Sequence, residues 1–548
     1  MKKNLFILSA IVLMSFTACT DWLTERQPGQ QLFEDFFTSG EAAIRITTGV
    51  YTPLAWEYGT TFFPEWFIGD VMSDDAIKGG NNLFDMREVF EMENWRTTPY
   101  NNLLLNFYRA NFQGIARANM ALSQLPYVEP DEIMDERLRD RLMGEVYFLR
   151  AFYYFRLLRV FGGVPLVNFP ILSDAQWRQP RASADDILDF IIQDLERAEP
   201  LLWHRSEMDL NDLGRVTRGA AQAMLARVNL WRVGAKPALA QESWEAARYW
   251  SRLVIDSGEY ALHADYAVNF TLEGENGIES IFEIQFTEDG TSDWGVHAGG
   301  FGFSRGNFTM VLQRSRSGLV TAPGNTGWGF NQPSQNLFDA FEDGDIRRCI
   351  TILDPMAPQF ITPERPNGLI TEMDVETEFG NRFLNRKSAL YGPDLNQPWI
   401  GFYHLTHASR GPLNNNQIRF ADVLLMYAEA SMELGHDGPA IAALNQVRQR
   451  VNMPDFPGYN ISINGVTITP DLRQAIRHER RVELAMEGHR WFDLVRWGVA
   501  KEVMDAYAAT LCDEQRSFKR PFIAGVHELL PIPAAEIRLN PMPQNPGF

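Results

Sequence analysis

Apolar residues recur every three to four positions along much of this chain. The densest run is Arg141–Val167, RLMGEVYFLRAFYYFRLLRVFGGVPLV. Tyr147, Ala151, Tyr154 and Leu158 form one stripe at helical spacing, and Phe148, Phe152, Phe155 and Arg159 form a second beside it. A helix apolar over most of its circumference has to be covered on more than one side. Arg150, Arg156 and Arg159 fall inside the apolar run, so each guanidinium needs a carboxylate or carbonyl partner. Gly162-Gly163 supplies the exit and Pro165 forbids continuation. The pattern predicts a buried core helix ending near Phe161.

The same periodicity predicts a first helix over Phe33–Thr52 and then helix pairs. Leu103–Leu125 precedes Asp135–Phe161, and Ala184–Leu202 precedes Thr217–Val233. Glu242–Ser257 belongs to a third pair. Towards the C-terminus come Ile418–Leu434 with Gly438–Val451, and Asp471–Met486 with His489–Tyr507. Small residues at Gly219, Ala220, Ala221, Ala223 and Ala226 let helices approach closely. Pairs of this length resemble degenerate tetratricopeptide repeats. Two stretches break the pattern. From Tyr58 to Asn102, Gly, Asn and Asp mix with aromatics of exposed type, Trp66 and Trp95 among them. From about Tyr260 to Pro412, short β-like runs such as Ile278–Phe286 alternate with loops holding Trp294, Trp328, Phe330 and Trp399. The expected fold is mainly α: a scaffold of tetratricopeptide-like helix pairs with a large loop-rich insert carrying short β-strands.

Composition narrows the function. The 548 residues carry a formal charge of −20, which argues against nucleic acid, whose phosphates need basic patches. The three cysteines, Cys19, Cys349 and Cys512, form neither a disulfide framework nor a zinc spacing. Cys349 and Cys512 are expected to be buried. Lys2-Lys3, the apolar run Leu5–Met14 and Ser15–Ala18 before Cys19 predict a signal peptide over 1–18. Thr-Ala-Cys resembles a bacterial lipobox, with Phe16 where Leu is usual. Cys19 would then be the lipidation site, opening a tether over 19–32.

The chemistry-bearing residues lie in the two irregular stretches. Asp74-Asp75 is a paired carboxylate, read as loop-ordering or capping before catalytic. Gly299-Gly300-Phe301-Gly302-Phe303 precedes no Gly-Lys-Ser/Thr and opens no helix, so it is no phosphate cradle. His404 and His407 stand three apart but between helix breakers, and no metal site is assigned. Flat indole faces beside Asn and Asp suit sugar rings: C–H faces stack on the ring, and amides and carboxylates bond the hydroxyls.

Three stretches together resemble the SusD/RagB family of outer-membrane lipoproteins. They are Phe148–Phe155 through Phe161-Gly162-Gly163-Val164-Pro165-Leu166, Glu479–Trp497, and Leu530–Pro541 with the ending Gln544–Phe548. Cys19-x-Asp21-x-Leu23 is similar to that family's mature N-terminus. Read physically, the regular Arg/Glu alternation in Glu479–Trp497 predicts a structural salt-bridge network rather than catalysis.

The resemblance implies a non-catalytic, surface-exposed glycan-binding lipoprotein of the outer membrane, bound to a SusC-like TonB-dependent outer-membrane transporter. It implies no cofactor, and the sequence offers no ligand set for a structural calcium ion. It divides the mature chain into an N-terminal region over 33–235, the loop-rich insert over 236–412 and a C-terminal region over 413–548. Ligand residues come from the early loops and the insert, which here hold Asp74, Asp75, Arg87, Trp95, Asn101, Trp294 and Trp328. Peptide cargo, a pure assembly subunit and a glycoside hydrolase are the alternatives.

Overall fold

A computed structural model of the chain describes residues 38–56, 64–288, 305–316, 327–363, 368, 382–390, 392, 403–463 and 465–548. Its longer helices are α1 (Gly40–Tyr51), α2 (Asn102–Gln124), α3 (Glu136–Phe161), α4 (Ala184–Ala198), α5 (Arg218–Ala235), α6 (Ala240–Asp256), α7 (Phe420–Glu433), α8 (Asp437–Arg450), α9 (Leu472–Glu483) and α10 (Ala500–Thr510). The protein is mainly helical, as its hydrophobic periodicity predicts.

Helix α3 is the rod predicted from sequence. Asp135 caps it by accepting the Leu138 N–H, and Gly162, at a left-handed φ of 69°, ends it. It packs on α1, α2 and α4. Phe148 and Phe152 stack at 6.2 Å, and both meet Phe282 edge-on. Its arginines find the partners their burial demands. Arg150 grips Asp194 through two nitrogens at 2.7 and 2.8 Å and reaches Asn119 at 2.8 Å. Arg156 and Arg159 both pair with Glu65. Helices α5 and α6 pack together, α7 packs on α6 and α8, and α9 packs on α7 and α8.

Charge ties the C-terminal helices to distant chain. Glu479 bonds Arg347 and Arg448, and Glu483 pairs with Arg347, Arg419 and Arg450. Glu487 holds Arg419 and Lys387. Arg480 pairs with Asp422 and Asp493, and Arg496 with Glu429 and Asp493. The network predicted for Glu479–Trp497 is therefore present, but most of its bonds leave the helix instead of running along it.

Several local expectations are corrected. The predicted helix His489–Tyr507 is two pieces, Arg490–Arg496 and α10, broken where Gly498 takes φ 69°. Helix α9 stops at Glu483, and Met486 and Gly488 then turn through left-handed backbone. The first helix begins at Gly40 within the described residues. Cys349 and Cys512 are exposed, not buried. Cys349 sits on a short helix whose buried positions are Arg347 and Thr351, and Cys512 precedes the wholly unburied helix Asp513–Phe518.

The strands are β1 (Ala76–Gly79), β2 (Ser280–Ile284), β3 (Phe330–Pro333), β4 (Ile352–Leu353), β5 (Leu384–Asn385), β6 (Asn415–Arg419), β7 (Ile461–Ile463) and β8 (Val466–Ile468). They pair antiparallel two by two: β1 with β3, β2 with β6, β4 with β5 and β7 with β8. The first pair matters most for function. Ala76 faces Pro333 and Gly79 faces Phe330, so the early irregular stretch is sewn to the insert.

Candidate functional site

The early loop leaves β1 at Gly79-Gly80 and returns in the short helix Arg87–Glu93. It is held from beneath by Lys78, whose ammonium donates to the carbonyls of Gly79, Asn82 and Asp85 at 2.7, 3.0 and 2.8 Å. Burial lowers the Lys78 pKa to about 8, against the pull of Glu93 and Asp85. Asn82 Oδ1 accepts the N–H groups of Phe84 and Asp85, closing the turn. The Gly80 N–H donates to Gly329 O at 2.7 Å, so this loop lies directly against the segment Gly327–Phe330.

That segment carries Trp328. Its backbone N–H donates to Val311 O at 2.9 Å. Its indole meets Phe308 edge-on at 5.2 Å and keeps 38% of its surface exposed. Phe84, on the neighbouring loop, is 79% exposed. Asn81 and Asn82 are exposed as well. The two meeting loops therefore present aromatic faces and amides to solvent, the combination that stacks on and hydrogen-bonds a sugar.

Below them runs a chain of buried amides. Gln313 Oε1, on the short helix Thr309–Gln313, accepts from Asn331 Nδ2 at 2.7 Å and from Asn385 Nδ2 at 2.6 Å. Asn331 also donates to Asp70 at 3.1 Å, and Asp70 accepts the Gly488 N–H at 2.8 Å. Asp70 has no surface exposure, and burial pushes its carboxyl up to about 7. At Gly69 the backbones almost touch: a Cβ there would lie 2.1 Å from Gly488 O. The loops thus rest on the left-handed turn that follows α9.

The structure takes four predicted ligand residues away from the surface. Asp74 and Asp75 are buried, Asp74 between Arg481 (2.9 Å) and Arg490 (2.8 Å), Asp75 on Arg481 (2.7 Å). Burial opposes the charge on Asp74, but Arg481 and Arg490 outweigh it and hold the carboxyl well below its usual range. These carboxylates anchor the early loop to the C-terminal helices. Trp95 is 6% exposed, stacked on His527 at 5.6 Å and packed against Trp491 and Phe522. Asn101 is the N-cap of α2, accepting the Leu104 N–H and donating to Glu88 O.

Arg87 is exposed and pairs with Glu91 one turn on. Trp66 is buried too, its Nε1 donating to Thr309 Oγ1. His407 lies in irregular chain, hydrogen-bonded to Ser409. Trp294, Trp399, Gly299–Phe303 and Cys19 lie outside the described residues. Of the candidates, Trp328 and Arg87 remain on the surface. Phe84, Asn81 and Asn82, exposed beside Trp328, were not singled out from sequence. Their signal was an apolar residue inside a Gly/Asn turn, which marks a side chain with no helical face to join.

A helical-repeat scaffold that lifts exposed aromatics and amides on two joined loops defines a ligand-binding protein. Models of SusD-type families match the chain in two separate stretches. A model described as the SusD family matches residues 402–548, and one described as starch-binding, associating with the outer membrane, matches residues 21–230. SusD-like protein P38 of Formosa agariphila is 25% identical over 92% of this chain and 93% of its own. A SusD-like protein of Bacteroides ovatus is 25% identical over 91% of this chain and 83% of its own. Among solved structures, a laminarin-binding SusD-like protein is 29% identical over 93% of this chain and 100% of its own, with a TM-score of 0.74. Surface glycan-binding protein A from Bacteroides thetaiotaomicron, in complex with laminarihexaose, shares the fold at 23% identity, over 93% of this chain and 100% of its own, with a TM-score of 0.75. One family description names starch binding and association with the outer membrane, and the 29% identical solved structure is named for laminarin binding. Among the described residues no helix is long and apolar enough to cross a membrane.

Proposed function

We propose that this protein captures oligosaccharides at the cell surface and delivers them to a SusC-like TonB-dependent outer-membrane transporter, without chemical change. The observation that carries the reading is the pairing of half-exposed Trp328 with the exposed Phe84–Asn82 turn across the β1–β3 seam. A tryptophan that stays 38% exposed while its ring packs perpendicular to Phe308 is positioned for stacking. The 29% identical relative named for laminarin makes a β-glucan the first ligand to try. Cys19 supplies the lipid anchor in this reading, with no spanning helix required.

The test is a titration of the mature protein with laminarin, starch, other polysaccharides and peptides. Binding to at least one glycan, weakened tenfold or more in Trp328→Ala and Phe84→Ala, is expected. Glycan binding unchanged in both variants would remove the site. Association only with peptides would change the cargo. Palmitate labelling lost in Cys19→Ala, and co-purification of a barrel partner from the native membrane, test the anchor and the delivery step.

A further inference from the structure

The ammonium of Lys78 stands where the two loops of the surface site meet. The lysine lies on β1, between Ile77, which faces Gln332, and Gly79, which faces Phe330. At 3% exposure it is too buried to touch a ligand. The carbonyls of Gly79, Asn82 and Asp85 converge on its ammonium at 2.7, 3.0 and 2.8 Å. These acceptors match the three protons that an ammonium can donate. The same ammonium lies 5.4 Å from the centre of the Phe330 ring, within reach of cation–π attraction. Phe330 is buried and stands two residues after Trp328. One side chain therefore contacts both the turn that carries Phe84 and the segment that carries Trp328.

Main-chain carbonyls that converge in this way are typical ligands of a metal cation, because each points the negative end of its dipole at one spot. Here the cation belongs to the chain. Burial lowers its pKa to about 8, against the pull of Glu93 and Asp85, which leaves it mostly protonated at pH 7. The turn's own bonds are short in range. Asn82 Oδ1 accepts the Phe84 and Asp85 N–H groups, and Asp85 Oδ2 accepts the Asn81 N–H at 3.0 Å. They shape the turn without fixing where its tip stands. The Lys78 bonds to Asn82 and Asp85, which bracket Phe84, do fix it.

We propose that Lys78 is the positioning residue of the binding face: its ammonium fixes the Phe84 turn against the Trp328–Phe330 segment and so sets the gap in which a ligand ring stacks. The ligand half of this statement rests on the surface reading. The loop half does not, because loop order is measured without a ligand.

The test uses Lys78→Met, which keeps the length and removes the charge, and Lys78→Ala, which leaves room for a soluble amine. Amide hydrogen exchange of the mature protein, with no glycan present, reads the loop, and exchange in α3 reports that each variant is folded. Exchange over residues 79–86 should be at least tenfold faster in both variants, with α3 unchanged. In Lys78→Ala, propylammonium chloride should slow it again and propanol should not. Affinity for laminarihexaose should fall tenfold or more in both variants and return in Lys78→Ala with propylammonium alone. Loop exchange within twofold of wild type in the folded variants overturns the proposal. So does equal rescue by propanol, which would reduce Lys78 to a space filler, or a loosened loop with laminarihexaose affinity intact. Loop exchange as expected, with glycan affinity untouched by Trp328→Ala and Phe84→Ala, would place the failure in the surface reading and not in the hold of Lys78 on the turn.

Discussion

The turn after α9 and the loops it supports use the same residue types to opposite ends. Around α9, carboxylates and indoles are buried and locked. Asp74 sits between two arginines, and Trp95 lies among Trp491, Phe522 and His527. At the β1–β3 seam, Trp328 meets Phe308 edge-on yet stays 38% exposed, and the loops are fixed by backbone bonds and by Lys78. An Asp or Trp in a Gly-rich stretch is therefore not a binding residue by type. It is one only where the packing leaves its polar or flat surface unspent.

The largest effect should come from the scaffold. Phe152 is 2% exposed and stacked within α3's core. Phe152→Ala should cost about 3–5 kcal/mol, read from chemical denaturation. Asp74→Asn should cost about 3 kcal/mol, because it leaves Arg481 and Arg490 buried with one carboxylate between them. Its glycan affinity, measured where the variant is still folded, should stay within about twofold of wild type, since the group never meets solvent.

Acid should separate two kinds of buried carboxylate. Burial raises the pKa of Asp493 and Glu487, but Arg480 with Arg496, and Arg419 with Lys387, hold both at about 2. An unfolded carboxyl titrates near 4, so their contribution is full above about pH 4 and is lost as pH falls towards 2. Asp70 runs the other way. Raised to about 7 by burial, it keeps its proton only in the folded state between about pH 4 and 7, so its contribution shrinks as pH rises through that window. Denaturation midpoints across a pH series should show both limbs, and Asp70→Asn should flatten the upper one. At the small end, Arg87→Ala removes an exposed one-turn pair and should shift stability by no more than about 0.5 kcal/mol. A glycan affinity change in that variant would extend the binding face to Arg87.

Much of the scaffold was legible in sequence. Helix α3 declared itself by two apolar stripes and a Gly-Gly-x-Pro stop, and the arginines inside it announced buried partners. The need for partners could be read; their identities could not. Asp74 meets Arg490 across 416 positions, and no local pattern encodes that contact. Trp95 misled for the same reason. Loss of periodicity shows that a segment is irregular but not that it is exposed, and the C-terminal Phe522–His527 stretch covers Trp95 from far along the chain. Cys349 and Cys512 misled in the other direction, because apolar preference says nothing about which face of a short helix is turned out. The two regions that meet at the β1–β3 seam were legible as irregular stretches, and Trp328 as an exposed aromatic within one of them. Phe84 needed the β1–β3 pairing before its position had meaning.

The most direct measurement is a paired titration of the glycan that binds, with laminarihexaose the first to try, against Trp328→Ala and Asp74→Asn, with melting curves recorded for both. Binding lost tenfold or more in Trp328→Ala at a near wild-type melting temperature, with binding kept in a destabilised Asp74→Asn, is the predicted result. The reverse pattern, affinity lost in a stable Asp74→Asn and untouched in Trp328→Ala, would contradict the division between scaffold and binding face.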